Sequence, residues 1–599
     1  MKSIKMKYKL NIFTGSLILL LGLSSCESYL DKAPEATITE KDAYGNFISF
    51  QGAVEELYSC ITDPNKAGAW NQYLFADETL YNDIYAFDQG NYWSQSGYLY
   101  GTSVATTDLN SRTKRVWPLA WYGIRKANLA LSKLPLLEGT QEEKDLIKGQ
   151  ALFFRGWFYF ELMKWYGGLP YIDTVLAPTA DMKIPRLNYR ETALRAAADF
   201  RAAADLLPEH WDKTVAGQAT LGNNGPRINK FFALGYLGRD LLYAASPMMN
   251  EESTGSATFD ADLCKQAASA FAELLSLNDQ TQTYKMQTWA TWTDNFWVWS
   301  PSNNIMSGGT EVIMNCTVYD KGRVRWSTVG FTCPTQFGGN ASKVEVPTAN
   351  YIKNYAMANG LPIDDPASGY NPANPWTNRE PRFYSDIIID GDKMTASSGA
   401  GVDQYAQLYT GGRHRSATNG SVTGFYYKRY SPFGCNQWDK KWDAFQAYVP
   451  FLRLADIYLM YSEAVLQGYG SASATAPGYS LTAEGAINVV RNRAKLPNIS
   501  ATYTGSKDAF MGEIIRERAV ELAYEGERFQ DLRRWNLNTE LKYREKTAVE
   551  FDRDPVTKKP INITERVVIT RVAEKKHNWL PFQVKFTKQY EGFQQNPGW

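Results

Sequence analysis

Histidine and paired cysteine are scarce in this chain. Its 599 residues hold three His, namely His210, His414 and His577, far apart and outside any His-Glu-x-x-His pattern. Six Cys are present, with no Cys-x-x-Cys pair. A His/Cys metal site therefore has no sequence support. Beyond Cys26 five cysteines remain, Cys60, Cys264, Cys316, Cys333 and Cys435. That count is odd, so full pairing within the chain is impossible and a disulfide scaffold is excluded. Also missing are a Gly-x-Ser-x-Gly elbow, a Gly-x-x-x-x-Gly-Lys loop and a Gly-x-Gly-x-x-Gly turn. Serine hydrolase, P-loop and dinucleotide chemistry lose their usual anchors. No apolar run approaches the roughly 20 residues that span a bilayer. Charge of one sign is lacking too: 64 Lys plus Arg face 63 Asp plus Glu. A protein that neutralises phosphates would be basic, so no nucleic-acid partner is expected.

The start of the chain reads as an address. Lys2, Lys5, Lys7 and Lys9 precede a short apolar stretch from Ile12 to Leu23. A basic start followed by such a stretch is the pattern of a secretory signal peptide, over residues 1–25. It ends in Leu23-Ser24-Ser25-Cys26, which resembles a bacterial lipobox and makes Cys26 the expected lipidation site. Acyl chains there would anchor the protein to a membrane. Removing residues 1–25 leaves a net charge of −3.

Helical periodicity runs over about 41–60, 117–136, 141–166, 189–207, 226–245, 259–277, 448–468, 482–496 and 507–536. In the last, Ile515, Ala519, Leu522, Gly526, Phe529 and Leu532 share one expected face. Residues 61–115 and 281–447 differ, with Gly, Pro and Asn between short apolar runs. They read as irregular insertions with a few short strands. The expected fold is mainly α, a helical-repeat scaffold carrying these insertions.

Glu517, Glu521 and Glu525 follow one another at four-residue spacing. Like charges on one helix face are destabilising unless cations meet them. Arg453 or an Arg of 516–534 is expected to pack on this ladder. A retaining glycosidase using Glu521 or Glu525 is the alternative. Its carboxylates would have to flank the scissile bond, which two groups on one helix face rarely do.

Aromatic residues are abundant at 14 %, with 18 Trp and 37 Tyr. Trp117, Trp121, Trp157, Trp165 and Trp535 sit at helical spacing and read as core. Others crowd the irregular segments 70–100, 289–326 and 405–442, among amides, carboxylates and guanidinium groups. A flat ring suits the C–H face of a sugar, and polar neighbours suit its hydroxyls. Trp93, Trp297, Trp299 and Trp326 are the candidate stacking residues. Asp77, Asn82, Arg323 and Arg413 are the candidate hydroxyl partners. With so little net charge, an uncharged, hydroxyl-rich ligand is expected. A protein interface is also rich in Trp, Tyr and Arg and fits the same composition.

Several ordered segments resemble the SusD-like (RagB/SusD) outer-membrane lipoproteins of the Bacteroidetes. They include Cys26-Glu27-Ser28-Tyr29-Leu30-Asp31-Lys32 and Trp121-Tyr122-Gly123-Ile124-Arg125-Lys126-Ala127-Asn128. Gly149-Gln150-Ala151 through Phe154-Arg155-Gly156-Trp157-Phe158-Tyr159-Phe160 leads on to Tyr166-Gly167-Gly168-Leu169-Pro170. Further on stand Phe451-Leu452-Arg453-Leu454-Ala455-Asp456 and the run from Glu517-Arg518 to Arg533-Arg534-Trp535. Gln595-Asn596-Pro597-Gly598-Trp599 closes the chain. The resemblance spans residues 26–599. It implies one α-rich domain of tetratricopeptide-like helix pairs and a non-catalytic glycan-binding role. It also implies an outer-membrane position facing the cell exterior, a SusC-like TonB-dependent transporter as partner, and no cofactor. The same scaffold could instead capture a peptide or another non-sugar nutrient.

Overall fold

The computed structural model describes residues 39–61, 75–80, 85–92, 116–299, 309–315, 345–396, 404–416, 420–436 and 438–599. Trp93, Asn82, Arg323, Trp326 and Cys26 lie outside them.

Local sequence signals start and stop the helices. The principal ones are α1 (Phe47–Ser59), α2 (Val116–Lys133), α3 (Gln141–Tyr166), α4 (Tyr189–Leu206), α5 (Lys230–Ala245) and α6 (Ala261–Thr281). Later come α7 (Leu454–Tyr469), α8 (Ala483–Arg493), α9 (Lys507–Glu521) and α10 (Glu527–Arg534). Thr140 opens α3 with a capping box: its hydroxyl accepts from the Glu143 amide, and the Glu143 carboxylate accepts from the Thr140 amide at 2.8 Å. This satisfies donors that the first turn leaves orphaned. Asn188 and Glu191 do the same for α4.

Successive helices pack in chain order, α2 on α3, α3 on α4, α4 on α5, α5 on α6, then α6 on α7 and α7 on α8. The α3 helix is apolar on nearly every side and buried along most of its length. Its one buried cation, Arg155, donates to both Asp199 oxygens on α4 at 2.6 and 2.7 Å and to the Asn128 amide oxygen on α2 at 3.0 Å. One guanidinium thus ties three consecutive helices. Trp117, Trp157, Trp165 and Trp535 are buried, as their spacing suggests, and Trp121 is half-buried.

Strands are short and paired in twos. β1 (Trp297–Trp299) pairs antiparallel with β3 (Phe445–Ala447), and β2 (Val312–Asn315) with β4 (Pro450–Arg453). The stretch expected to be helical from 448 therefore begins as a strand, with helix only from Leu454. A long antiparallel hairpin, β5 (Glu545–Arg553) and β6 (Pro560–Thr570), was not anticipated.

The expected helix over 507–536 is also broken. α9 ends at Glu521, and α10 starts at Glu527 after Gly526 at φ 90° and Tyr524 at φ 64°. Left-handed backbone is cheap for Gly and interrupts a right-handed helix. Two apolar cores result. One runs through the helices; the other gathers Trp292, Phe296, Tyr351, Phe383, Tyr426, Tyr427 and Phe445 around Ala519 to Tyr524.

Candidate functional site

The turn between α9 and α10 carries the expected ion-pair ladder, on a larger scale than its sequence indicates. Arg453 donates to Glu521 at 2.7 Å, to Glu311 at 2.7 Å and to both Glu525 oxygens at 2.8 Å. Arg382 donates to Glu517 at 2.6 Å and Glu521 at 3.0 Å, and Arg493 also pairs with Glu521. Arg429 donates to Glu525 at 2.9 Å, to both Asp386 oxygens, and to the Ala523 carbonyl at 2.6 Å. That last bond satisfies a carbonyl in the turn that follows α9. Burial opposes ionisation of Glu521, but Arg493, Arg453 and Arg382 outweigh it and hold its carboxyl well below the usual range. All three ladder carboxylates are buried and engaged. Arg382, Arg429 and Arg493 come from segments distant in sequence.

This charged layer forms the floor of an aromatic surface. The Arg429 guanidinium lies 4.7 Å from the rings of both Trp292 and Phe296, and Arg493 lies 5.3 Å from Trp292. Such contacts are favourable, more so when desolvated. Trp292 belongs to a 3₁₀ turn, Trp289–Asn295. In that helix type residues three apart eclipse each other. Trp289 accordingly stacks on Trp292, with ring centroids 5.0 Å apart and planes 21° from parallel.

Strand alternation places the next pair. Trp297 and Trp299 are two apart on β1 and share a face. Trp299 is opposite Phe445 on β3, and the buried Phe445 ring lies 5.7 Å from it and 6.1 Å from Trp297. Trp297 is half-buried, whereas Trp299 keeps 39 % of its surface exposed. Trp289, Trp292 and Trp297 line a cavity of about 380 Å³ together with Tyr384, Ser385, Lys428, Arg429 and Phe433. Tyr384 and Phe433 are themselves exposed. Larger clefts of about 900 and 840 Å³ lie elsewhere, walled mainly by charged and polar side chains with one or two rings each.

The expected site residues divide. Trp297 and Trp299 stand on this surface together. Arg413 is exposed but does not line the cavity. Asp77 is not on the platform at all: its carboxylate is buried and accepts from Arg528 at 2.9 and 3.0 Å. In segment 70–100, Phe75, Phe87 and Tyr92 are also interior. Phe75 stacks on Phe87 at 4.2 Å, Phe87 on Tyr92 at 4.3 Å, and both Phe rings meet Phe529 edge-on. In segment 405–442, Tyr426 and Tyr427 are buried, Trp438 is half-buried and Tyr405 is exposed. Sequence reasoning missed Tyr384, Phe433, Lys428 and Lys441, which no local spacing links to the Trp residues.

Two family models match the chain. Residues 310–599 match the SusD family, and residues 28–221 match a model described as starch-binding associating with outer membrane. The chain belongs to the SusD (RagB/SusD) family. A SusD-like protein P2 from Formosa agariphila is 22 % identical over 548 residues, covering 89 % of this chain and 92 % of that one. A SusD-like protein from Bacteroides fragilis superposes with a TM-score of 0.70 at 20 % identity, over 95 % of this chain and 100 % of the other. A SusD-like carbohydrate-binding protein from the same species gives 0.60 at 19 %, over 89 % and 96 %. The mainly α SusD-like fold is thus shared along nearly the whole chain. No helix among the described residues is long and apolar enough to cross a membrane.

Proposed function

We propose that this SusD-family protein is a surface-exposed, glycan-binding lipoprotein. It captures polysaccharide or oligosaccharide and passes it to a SusC-like TonB-dependent transporter. The observation that carries the reading is the group of Trp289, Trp297 and Phe433 around one cavity, with Trp299 beside Trp297 on the same strand face, on a floor held by buried ion pairs. Open rings on a rigid support offer apolar faces with little conformational entropy left to lose. A sugar ring has an apolar face of matching size, and Ser385, Thr293 and Lys428 stand beside the rings for its hydroxyls. The role is one of binding. Glu521 and Glu525, the carboxylates a glycosidase would need, are committed to guanidinium groups.

The membrane position rests on the lipobox-like sequence before Cys26, acylated and facing the cell exterior in this proposal. A glycan array read with wild-type protein and with a Trp289→Ala, Trp297→Ala, Trp299→Ala variant tests the binding. Signal on at least one glycan, lost in the variant, supports it. Equal signal from both removes the platform. Fractionation of Cys26→Ser cells tests the anchor, which fails if the variant stays with the outer membrane.

A further inference from the structure

We infer that the aromatic cavity selects an acidic glycan, one carrying carboxylate or sulfate-ester groups. This rests on the platform reading above and names the class of sugar it serves.

Among the described residues no Asp or Glu lines the cavity. The buried acids behind it, Asp386 and Glu525, are matched to Arg429. Lys428, by contrast, lies in the wall and donates to the Tyr384 carbonyl at 2.7 Å. An ammonium has three N–H groups, so two remain, and Lys428 enters no ion pair among the described residues. Lys441 stands at the other end of the rings. Its Nζ is 5.7 Å from the Trp299 ring centroid, and it too has no carboxylate partner among the described residues. The Lys441 stem passes over Gly434, next to Phe433. A Cβ on Gly434 would come within 2.8 Å of that stem, and the backbone there has φ +85°. The indole N–H groups of Trp292 and Trp297 have no acceptor among the described residues either. The half-buried carboxylate of Asp294 follows Thr293 on the turn but does not line the cavity.

The unpaired charge at the rings is therefore positive among the described residues, with Asp392 close enough to feel Lys428 but not paired with it, although the mature chain carries −3. That departs from the uncharged ligand which overall charge suggests. A neutral sugar gains only hydrogen bonds from the two ammonium groups. An anionic substituent adds the attraction between opposite charges to those bonds. Two exposed pairs of this kind give roughly a tenfold preference at low salt, shrinking as the screening length falls from about 30 Å at 0.01 M to about 3 Å at 1 M.

The test is calorimetry on the detergent-solubilised full chain. The probes are oligogalacturonides with their carboxyl-reduced forms, and sulfated galactan oligosaccharides with their desulfated forms. A neutral glucan and a mannan complete the set. The expected result is binding to a carboxylated or a sulfated probe, about tenfold weaker to its neutralised form. It should weaken likewise in Lys428→Gln, Lys441→Gln protein and in 0.5 M salt. The two acidic series separate a uronate from a sulfate ester. Equal affinity for charged and neutralised probes, or binding to neutral glycans alone, overturns the inference and leaves the platform standing. Binding to no glycan overturns both.

Discussion

Trp299→Ala separates a ligand platform from a packing residue. A Trp side chain offers up to about 250 Å² of buriable surface. With 39 % exposed, roughly 100 Å² of Trp299 is open to a ligand. At about 25 cal/mol per Å², covering it contributes about 2.5 kcal/mol, or a Kd ratio of about 60. A sugar that covers one face only would give about half that energy, near a tenfold change. Among the described residues the ring contacts of Trp299 are edge-on with Trp297, tilted with Phe445 and one with the Lys441 ammonium, so its removal takes little from the fold. Calorimetric titration with the best glycan from an array should show Kd weakened about 10- to 60-fold, with a urea midpoint close to wild type. Trp157→Ala is the converse control. That ring is 1 % exposed inside α3, and its loss should cost about 3–5 kcal/mol of stability with Kd of the folded fraction unchanged. An unchanged Kd for Trp299→Ala refutes the assignment of the platform.

Three further outcomes follow from the scaffold. Arg453→Met leaves Glu311, Glu521 and Glu525 short of their shared cation and should destabilise by about 3–5 kcal/mol in urea unfolding. Glu521 titrates far below its ordinary value in the folded state. Its contribution is therefore full above about pH 4.5 and is lost as pH falls below that, so Glu521→Gln should flatten the acid limb of the stability–pH curve. Glu78 behaves oppositely. Burial, and then the neighbouring Asp77 charge, push its carboxyl up to about 7. The unfolded chain ionises first, so wild-type stability falls between about pH 4.5 and 7 by about 3 kcal/mol. Glu78→Gln should abolish that fall, which urea midpoints at pH 4.5, 6 and 8 would show.

Most helices were legible because their signals are local. Thr140 and Glu143 announce α3 three residues apart, and the apolar run that follows announces its burial. The α9–α10 break was not legible, since Gly526 also fits as a small residue on a continuous helix face. Its φ of 90° is a property of the fold. The hairpin at 545–570 was hidden by its exposure: one strand is mostly solvent-facing and shows little alternation. Half of the platform could be read from spacing, through Trp289 and Trp292 at three residues and Trp297 and Trp299 at two. The rest depends on β1 pairing with β3, which joins chain segments far apart in sequence and brings in Lys441 and Phe433. Asp77 misled for the same reason. It sits in a turn-rich, polar stretch, and its partner Arg528 lies 451 residues further along.

The most direct measurement is a crystal structure of the protein with an oligosaccharide from its best-binding glycan. Sugar rings should lie on Trp289, Trp297 or Trp299, with substituents within hydrogen-bond reach of Lys428, Ser385 or Lys441. An oligosaccharide bound in another cleft, with these rings bare, would contradict the assignment.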